Sequence, residues 1–233
     1  MKSIAIIPAR GGSKRIPRKN IREFDGKPVI AYSIEAAWAS NLFSEVMVST
    51  EDKEIAEISM KYGAKVPFLR SEKYADDYTG PGDVVFEVLK KYEQAGDVFD
   101  NGCCIYATAP LISKNRLIEG YNLLLNSKFK VVFPVGCYSS PIWRSYKKNE
   151  QGSVEMNFPE YEKKRSQDLP SSYYDAGQFY WFKITDFFAL ENKNIFGVSK
   201  GAIFLGDNEV QDIDNQDDWH MAELKFRYSK NNR

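Results

Sequence analysis

The sequence is poor in residues that mark several common classes of protein. It has one histidine, three cysteines and no excess charge, since 32 basic residues balance 32 acidic ones. A balanced charge argues against a dedicated nucleic-acid binder, which usually carries a basic face. No apolar run approaches the ~20 residues of a membrane span. Pro8 and Arg10 also cut short the apolar start that a signal peptide requires. These absences predict a protein that binds neither nucleic acid nor membrane.

The few cysteines and the single histidine show no pattern typical of a metal site or a nucleophile. Cys103 and Cys104 are neighbours, which would point to opposite faces of a strand, so we interpret them and Cys137 as small hydrophobic residues. Reduced thiols without an export signal predict a cytoplasmic protein. A nucleophilic triad would have to use His220, on a predicted helix beside two acids, and a structural role is favoured instead.

Apolar runs alternate with helical patterns along the first half of the chain. Residues 4–8 form an apolar run typical of a strand buried on both faces, and 28–39 predict a helix that begins at Pro28. Further strands are predicted at 45–50, 64–69, 103–110, 131–136, 178–182 and 202–206. Further helices are predicted at 83–96 and 217–229. Three more are predicted to begin at Thr50, Ser113 and Thr185, with Thr50 and Thr185 as caps, and the first of these runs to Tyr62. This order predicts an α/β fold with a parallel sheet and right-handed crossovers.

The length of 233 residues fits one large domain, or one domain with a small lobe. Residues 138–177 break the strand–helix pattern, because they are polar, aromatic and rich in turns. We interpret 138–177 as an inserted lobe of a single domain that covers 1–233, serving as a flap over the site or as an oligomer arm. Asn149–Gly152 is a candidate hairpin turn within it.

A basic loop follows the first predicted strand, where open α/β folds place their ligands. Its six cations are Arg10, Lys14, Arg15, Arg18, Lys19 and Arg22. Like charges 4 Å apart repel by about 4 kcal/mol at an effective dielectric constant near 20, so this cluster predicts a strongly negative ligand such as a triphosphate. Gly11 and Gly12 would let the backbone bend and present N–H groups to an anion. The alternative is a solvated basic loop, and neither G-x-G-x-x-G nor G-x-x-x-x-G-K-[ST] is present.

The stretch IIPARGGSKRIPRKNI resembles the signature loop A-R-x-x-S-K-x-[IL]-P-x-K-N of the sugar cytidylyltransferases that make CMP-activated nonulosonic acids. The resemblance extends from Ile4 to about Glu223. It implies a Rossmann-like, three-layer fold of the nucleotide-diphospho-sugar transferase type. It also implies that this loop grips the triphosphate of CTP. The residues to which it gives roles are Arg10, Gly11, Ser13, Lys14, Lys19 and Asn20.

Two acids near the other end of the chain, Asp212 and Asp214, form a second candidate feature. On extended backbone, side chains two residues apart face the same way, and paired carboxylates suit Mg²⁺. The alternative is that they introduce a helix, as Asp217 and Asp218 are expected to do. The resembled family carries an aspartate–x–aspartate close before its last helix as Mg²⁺ ligands, which implies that role for Asp212 and Asp214.

Two further segments match the same family. LRSEKYADDYTG resembles a segment that surrounds the nucleoside, which implies a nucleotide contact for Arg70. Asp77 and Thr79 are weaker candidates, and the alternative for them is that they lead into a helix. KRSQDLP resembles the arginine–x–glutamine–x–leucine–proline segment, which implies that Arg165 pairs with the carboxylate of the sugar acid and that Gln167 lies nearby. Read without the family, Arg165 would belong to a solvated charge run.

The departures from the sialic acid enzymes indicate a different sugar. Tyr106 replaces a glutamine, Ile112 replaces an arginine, and YYDAGQFYWF differs from their P-N-G-A-I-Y pattern. Both features look like the pseudaminic acid cytidylyltransferases. We therefore expect a Mg²⁺-dependent enzyme that joins CTP to pseudaminic acid, with Arg10, Lys14, Lys19 and Asp214 in catalysis and Tyr106 at the sugar. The family also implies a homodimer.

Two alternatives remain open on the sequence alone. The same chemistry on N-acetylneuraminic acid, legionaminic acid or Kdo would use the same loop and acids. A non-catalytic nucleotide sensor would keep the basic loop without needing a metal pair such as Asp212 and Asp214.

Overall fold

The computed structural model describes residues 1–76, 78–190 and 198–231. The strands, in chain order, are β1 (Ser3–Pro8), β2 (Glu23–Phe24), β3 (Lys27–Pro28), β4 (Glu45–Ser49), β5 (Asn101–Ile105), β6 (Val131–Cys137), β7 (Tyr146–Lys148), β8 (Val154–Met156), β9 (Tyr173–Asp175), β10 (Phe179–Lys183) and β11 (Lys200–Leu205). The α-helices are α1 (Val29–Ala39), α2 (Lys53–Lys61), α3 (Pro81–Gln94), α4 (Lys114–Leu125), α5 (Ile184–Phe188) and α6 (Gln216–Asn231).

The main sheet has the strand order β11–β6–β10–β5–β1–β4, with β9 also paired to β6. β1 runs parallel to β4 and β5, and β11 runs parallel to β6. β10 lies antiparallel between β5 and β6, and β9 is antiparallel to β6. The predicted α/β fold with a mainly parallel sheet is confirmed.

Alternating side chains of β1 build a core on each face of the sheet. Ala5 and Ile7 pack in a cluster that includes residues of α1, α2 and α4. Ile4 and Ile6 pack in a second cluster with residues of α3 and α5. A strand buried on both faces has no polar side, which explains its unbroken apolar run. Helices therefore cover both faces, as a three-layer fold requires.

A third core cluster joins the two ends of the chain. Ile16 from the basic loop and Ile213 from the acidic segment are both buried there, against Trp219 of α6 and Phe24 of β2. Phe24 and Trp219 meet edge-to-face, with ring centroids 5.6 Å apart. Apolar packing thus fixes α6 against the start of the chain and brings the acidic segment to the basic loop.

Several local predictions are wrong. Residues 64–69 do not form a strand: Lys65 alone makes a bridge, to Met47, and Pro67 has no N–H with which to extend the pairing. The cap of α2 is Asp52, whose carboxylate accepts from the Ile55 N–H at 3.0 Å, rather than Thr50. Thr185 lies inside α5, since that helix begins at Ile184 without a side-chain cap.

The predicted insertion contains short elements with mostly exposed side chains. β7 and β8 form an antiparallel hairpin, and its turn has Gly152 at φ 87° with the Asn149 side chain bonded to Ser153, as the sequence indicated. β9 joins the main sheet beside β6. The division into one domain with a lobe at 138–177 stays a prediction. No helix of the described residues is long and apolar enough to cross a bilayer.

Candidate active site

A cavity of about 260 Å³ lies where β1 and β5 end, at the carboxyl edge of the parallel strands. Its wall contains most of the residues that the sequence singled out. These are Arg10, Ser13, Lys14, Lys19, Asn20, Arg70, Thr79, Tyr106 and Asp214. The structure therefore brings the basic loop and the late acid Asp214 to one pocket, although they lie at opposite ends of the chain. Asp77 lies outside the described residues.

Hydrogen bonds within the basic loop hold its shape. Asn20 is buried and its amide donates to the Arg10 carbonyl at 2.8 Å, so this side chain ties the two ends of the loop together. The Ser13 N–H donates to the Gly11 carbonyl at 3.0 Å. Arg18 adopts the left-handed conformation, with φ 54°. These bonds give the loop the shape of a compact turn, in which the side chains of Lys14 and Arg15 are exposed.

Acids of the chain itself neutralise some of the six cations, so the predicted anionic ligand is not needed to neutralise all of them. Arg18 pairs with Asp52 and Glu54, and Arg15 pairs with Asp214 at 2.8 Å. Asp52 raises the pKa of Arg18 by accepting a hydrogen bond from it, and Arg18 in turn lowers the pKa of Asp52. Arg18 therefore braces the loop from outside the pocket.

Gly11 is placed differently from the expectation. Its N–H donates to Glu51 Oε1 at 2.7 Å, so this N–H is occupied by a carboxylate of the protein rather than turned to an outside anion. A Cβ at this position would lie 2.5 Å from Asp52 Oδ2. Glycine fits here because the loop packs closely against the Asp52 side chain at the start of α2.

Lys19 links the loop to the paired acids. Its ammonium donates to the carbonyl of Ile213, and burial lowers its pKa while Asp214 and Asp212 act in the opposite direction. Burial raises the pKa of Asp212, and the charge of Asp214 adds to this effect. The charges of the two carboxylates thus act on each other, although Asp214 lies on the wall of the pocket and Asp212 does not. Asp218 fixes the turn by accepting from the N–H groups of Asp214 and Asn215, each at 3.0 Å.

The donor set of Asp212 and Asp214 fits a Mg²⁺ ion. Mg²⁺ is a hard cation that usually takes one or two protein carboxylates and completes its octahedron with phosphate oxygens and water. In the described ranges, 1–76, 78–190 and 198–231, there is no group of three or more His, Cys, Asp and Glu residues suited to a metal. An ion held by these two aspartates would therefore take its remaining ligands from a substrate and from water.

Arg70 is the most buried cation of the pocket wall. Its Nε donates to Ser49 Oγ at 3.1 Å, a second nitrogen donates to the Ser49 carbonyl, and Nη1 lies 4.0 Å from Glu51 Oε2. Burial lowers the pKa of Arg70, and the charge of Arg10 lowers it further, whereas Glu51 and Glu87 raise it. Two cations therefore meet at this side of the pocket.

Tyr106 begins a chain of hydroxyl groups that leads away from the pocket. Its side chain is hydrogen-bonded to Tyr180, and the Tyr180 hydroxyl donates to Asp175, with oxygen distances of 2.8 and 2.9 Å. Burial raises the pKa of both tyrosines, so both stay protonated.

Sequence reasoning did not assign Tyr180, Asp175, Arg15 or Glu51 to the site. Tyr180 and Asp175 lie in the stretch that departs from the sialic acid enzymes, and that departure was the available signal. Glu51 carries no signal of its own, because its contacts depend on how β4 meets the loop.

Arg165 and Gln167 are not on the wall of this pocket. Arg165 is exposed, and it forms a bidentate pair with Asp168, at 2.7 and 3.0 Å.

His220 is also exposed, with Nε2 2.9 Å from the Gln216 amide, and it is not part of the pocket wall. Cys103 and Cys104 are buried, and burial raises the pKa of Cys104 to about 12, which fits their interpretation as hydrophobic residues.

A cationic loop at the carboxyl edge of parallel strands is the arrangement with which α/β proteins bind anionic ligands such as nucleotides. Comparison with known proteins narrows the class. A family model described as Cytidylyltransferase matches residues 4–184. The chain belongs to the cytidylyltransferase family, and its activity is that of a nucleotidyltransferase.

Individual relatives cover nearly the whole chain. A pseudaminic acid cytidylyltransferase of Campylobacter jejuni is 42% identical over 227 residues, which are 97% of this chain and 97% of the relative. A CMP-N,N′-diacetyllegionaminic acid synthase of Legionella pneumophila is 33% identical over 96% of this chain and 95% of its own. A structure of CMP-2-keto-3-deoxy-manno-octonic acid synthetase complexed with CTP superimposes with a TM-score of 0.70 over 99% of this chain and 100% of its own, at 16% identity, which supports the fold.

Proposed function

We propose that this protein joins CTP to pseudaminic acid, giving CMP-pseudaminic acid and pyrophosphate. The observation that carries the proposal is the convergence of Arg10, Lys14, Lys19 and Asp214 on one pocket. The 42% identity to a pseudaminic acid cytidylyltransferase over 97% of both chains supports the choice of sugar.

The reaction is an in-line displacement at phosphorus. The anomeric hydroxyl oxygen of the sugar acid attacks the α-phosphorus of CTP, a new P–O bond forms, and the bond to the bridging oxygen of the β-phosphate breaks. The hydroxyl proton is released and pyrophosphate leaves. Such transfers depend on positioning and charge stabilisation, because they need no protein nucleophile. Arg10, Lys14 and Lys19 bind the triphosphate, and they stabilise the negative charge that moves to the leaving pyrophosphate.

Asp212 and Asp214 hold the Mg²⁺ ion in this proposal. The bound ion supplies Lewis-acid polarisation of the phosphate oxygens. Arg15, paired with Asp214, and Lys19, bonded to the Ile213 carbonyl, orient this segment toward the pocket.

Tyr106, Arg165 and Gln167 are the proposed contacts of the sugar acid. Tyr106 already lines the pocket, where its hydroxyl group is the proposed hydrogen-bond partner for a hydroxyl or amide group of the sugar. Arg165 is paired with Asp168, so the carboxylate of the sugar acid would replace a carboxylate that already matches the guanidinium fork.

The protein is further proposed to be a cytoplasmic homodimer that associates through the lobe at 138–177. Exposed large apolar side chains within this range support an oligomer arm. They are Tyr138, Tyr146, Val154 and Tyr173.

A panel of sugar acids tests the proposal. Pyrophosphate release from CTP and Mg²⁺ is measured with pseudaminic, N-acetylneuraminic and legionaminic acids and Kdo, and with UTP in place of CTP as a control. We expect the highest kcat/KM with pseudaminic acid. Equal kcat/KM with N-acetylneuraminic acid would overturn the choice of sugar. Binding of CTP without pyrophosphate release from any sugar acid would favour the nucleotide sensor.

A further inference from the structure

Glu51 lies between two parts of the site that are 59 residues apart in sequence, Gly11 and Arg70. It lies two residues after the end of β4, at the same carboxyl edge at which the basic loop leaves β1. One carboxylate oxygen, Oε1, accepts from the Gly11 N–H at 2.7 Å. The other, Oε2, lies 4.0 Å from Arg70 Nη1. A single side chain thus contacts the loop backbone and a cation of the pocket wall.

The charge at this point needs a local counter-ion. Arg70 is 7% exposed, and it lines the pocket beside Arg10. A buried guanidinium next to a second cation is costly unless an acid offsets both desolvation and repulsion. Glu87 is close, but its Oε1 already accepts from the Ser71 N–H at 3.0 Å and from Lys91 at 2.8 Å. Among the described residues, Glu51 is the acid that forms an ion pair with Arg70, whereas Glu87 pairs with Lys91.

The geometry of Oε2 sets it apart from an ordinary loop anchor. Oε1 alone satisfies the Gly11 N–H, so a neutral side chain of the same shape would do that work. Oε2 is buried and has no hydrogen-bond partner in the part of the chain that the structure describes. A buried carboxylate oxygen without a hydrogen bond is expensive, and the ionic interaction with Arg70 is what offsets that expense.

We propose that Glu51 is a positioning residue for nucleotide binding, which holds Arg70 in the pocket by charge while it fixes the loop backbone at Gly11. The inference rests on the proposed function, because it assumes that Arg70 faces the nucleotide. Glu51 itself does not line the pocket, so it acts through Arg70 and the loop. Loss of its charge weakens CTP binding and leaves the chemical step nearly intact.

Two variants distinguish the role of Glu51 Oε1, which accepts from the Gly11 N–H, from that of Oε2, which faces Arg70. Glu51→Gln keeps an amide oxygen for the Gly11 N–H and removes the charge, whereas Glu51→Asp keeps the charge and shortens the side chain. With Gln we expect KM and the calorimetric Kd for CTP to rise about tenfold, the loss of one charge-assisted contact, with kcat changed less than about threefold. Asp should lie closer to wild type than Gln. Glu57→Gln, an exposed acid on α2, serves as the matched control and should leave the Kd unchanged.

A double-mutant cycle shows whether Glu51 acts through Arg70. In an Arg70→Met background, Glu51→Gln should have no further effect on the Kd for CTP. The same tenfold loss in both backgrounds, or an unchanged Kd in Glu51→Gln alone, would overturn the proposal. Should Glu51→Gln fail to fold, a tenfold loss of CTP affinity in Glu51→Asp would overturn it as well. Calorimetry needs no turnover, so a chain that binds CTP but releases no pyrophosphate refutes the proposed function and leaves this test standing.

Discussion

Arg10 is the residue on which the triphosphate proposal depends most directly. It lies on the pocket wall between the loop and Arg70, and its carbonyl is held by Asn20. Arg10→Ala should lower kcat for pyrophosphate release at least about a hundredfold, because a charge that stabilises the transition state is lost. Arg22→Ala is the control, since the Arg22 guanidinium donates a hydrogen bond to Gln216 and stacks over Trp219, and it does not line the pocket. A smaller loss in Arg10→Ala than in Arg22→Ala would contradict the assignment.

Asp214 carries the prediction about the metal. Asp214→Asn keeps the size of the side chain but removes the charge that Mg²⁺ requires, so activity should fall at least about a hundredfold with the melting temperature nearly unchanged. The measurement is pyrophosphate release over a Mg²⁺ titration, with thermal unfolding alongside. Asp217→Asn, in the first turn of α6, should behave like wild type. Wild-type turnover of Asp214→Asn would remove it from the site.

For single residues, the sequence predicted that the basic loop and Asp214 lie together, but it also assigned Arg165 and Gln167 to the site, and these two do not line the pocket. It did not predict how the loop is braced. The loop motif and the Asp212–Asp214 spacing are local, and local patterns survive folding. The contact of Glu51 with Gly11 depends on the register of β1 against β4, which no residue near Gly11 encodes. The Asp175–Tyr180 bond joins residues on β9 and β10, and it depends on the pairing of both strands with β6.

Among the elements, α2 ties its own start to the basic loop through Asp52. Its Oδ1 caps the helix at the Ile55 N–H, and the carboxylate also pairs with Arg18, which holds the pKa of Asp52 below its ordinary value. A lowered pKa means that the charge pair stabilises the fold above pH ~4 and that this contribution is lost as the pH falls further, when the carboxylate is protonated.

The paired variants Asp52→Asn and Asp52→Ala test this cap. Asparagine keeps an oxygen acceptor for the cap and loses the charge, so its deficit in unfolding free energy relative to wild type should shrink between pH 7 and about pH 3. Alanine should cost about 1 kcal/mol more at both pH values, because the cap itself is lost. Urea unfolding at the two pH values measures both effects. A deficit of Asp52→Asn that grows on acidification would show that Arg18 is not its partner.

Gly102 in β5 leaves room for a ring of β10. A Cβ on Gly102 would lie 2.5 Å from two ring carbons of Phe182, a side chain with no space to retreat because it is fully buried. Gly102→Ala should therefore lower the free energy of unfolding by about 1–3 kcal/mol through overpacking. Gly12→Ala, where an added Cβ meets nothing within 4 Å, is the control for stability. Equal stability of the two variants would contradict this packing.

The order of strands and helices was predictable for the most part because strand and helix periods differ. The direction of β10 was not, since the apolar run QFYWF reads the same for a parallel and an antiparallel strand. The strand expected at 64–69 failed for a local reason, as Pro67 cannot donate to a neighbour. Thr50 and Asp52 are both good caps, and the structure uses the second.

For the whole molecule, the proposed dimer formed through the lobe at 138–177 is tested by measuring the molecular mass in solution. Val154 is 61% exposed on β8, and Val154→Asp would place a charge within an apolar contact. We expect sedimentation to report a dimer for wild type and a monomer for Val154→Asp. Met60→Asp, at a similarly exposed apolar site on α2, should stay dimeric. A monomeric wild-type protein at micromolar concentration would refute the association.

β10 lies in the middle of the sheet, between β5 and β6. A chain that is being synthesised therefore cannot complete the sheet until β10 has emerged from the ribosome. β1, β4 and β5 emerge first and have their parallel partners at once, whereas β6 reaches them only through β10, which ends at Lys183. Until that residue is synthesised, the growing chain carries an open edge on β5, and such edges pair readily with other chains. Slow translation just before residue 179 would therefore favour aggregation over assembly.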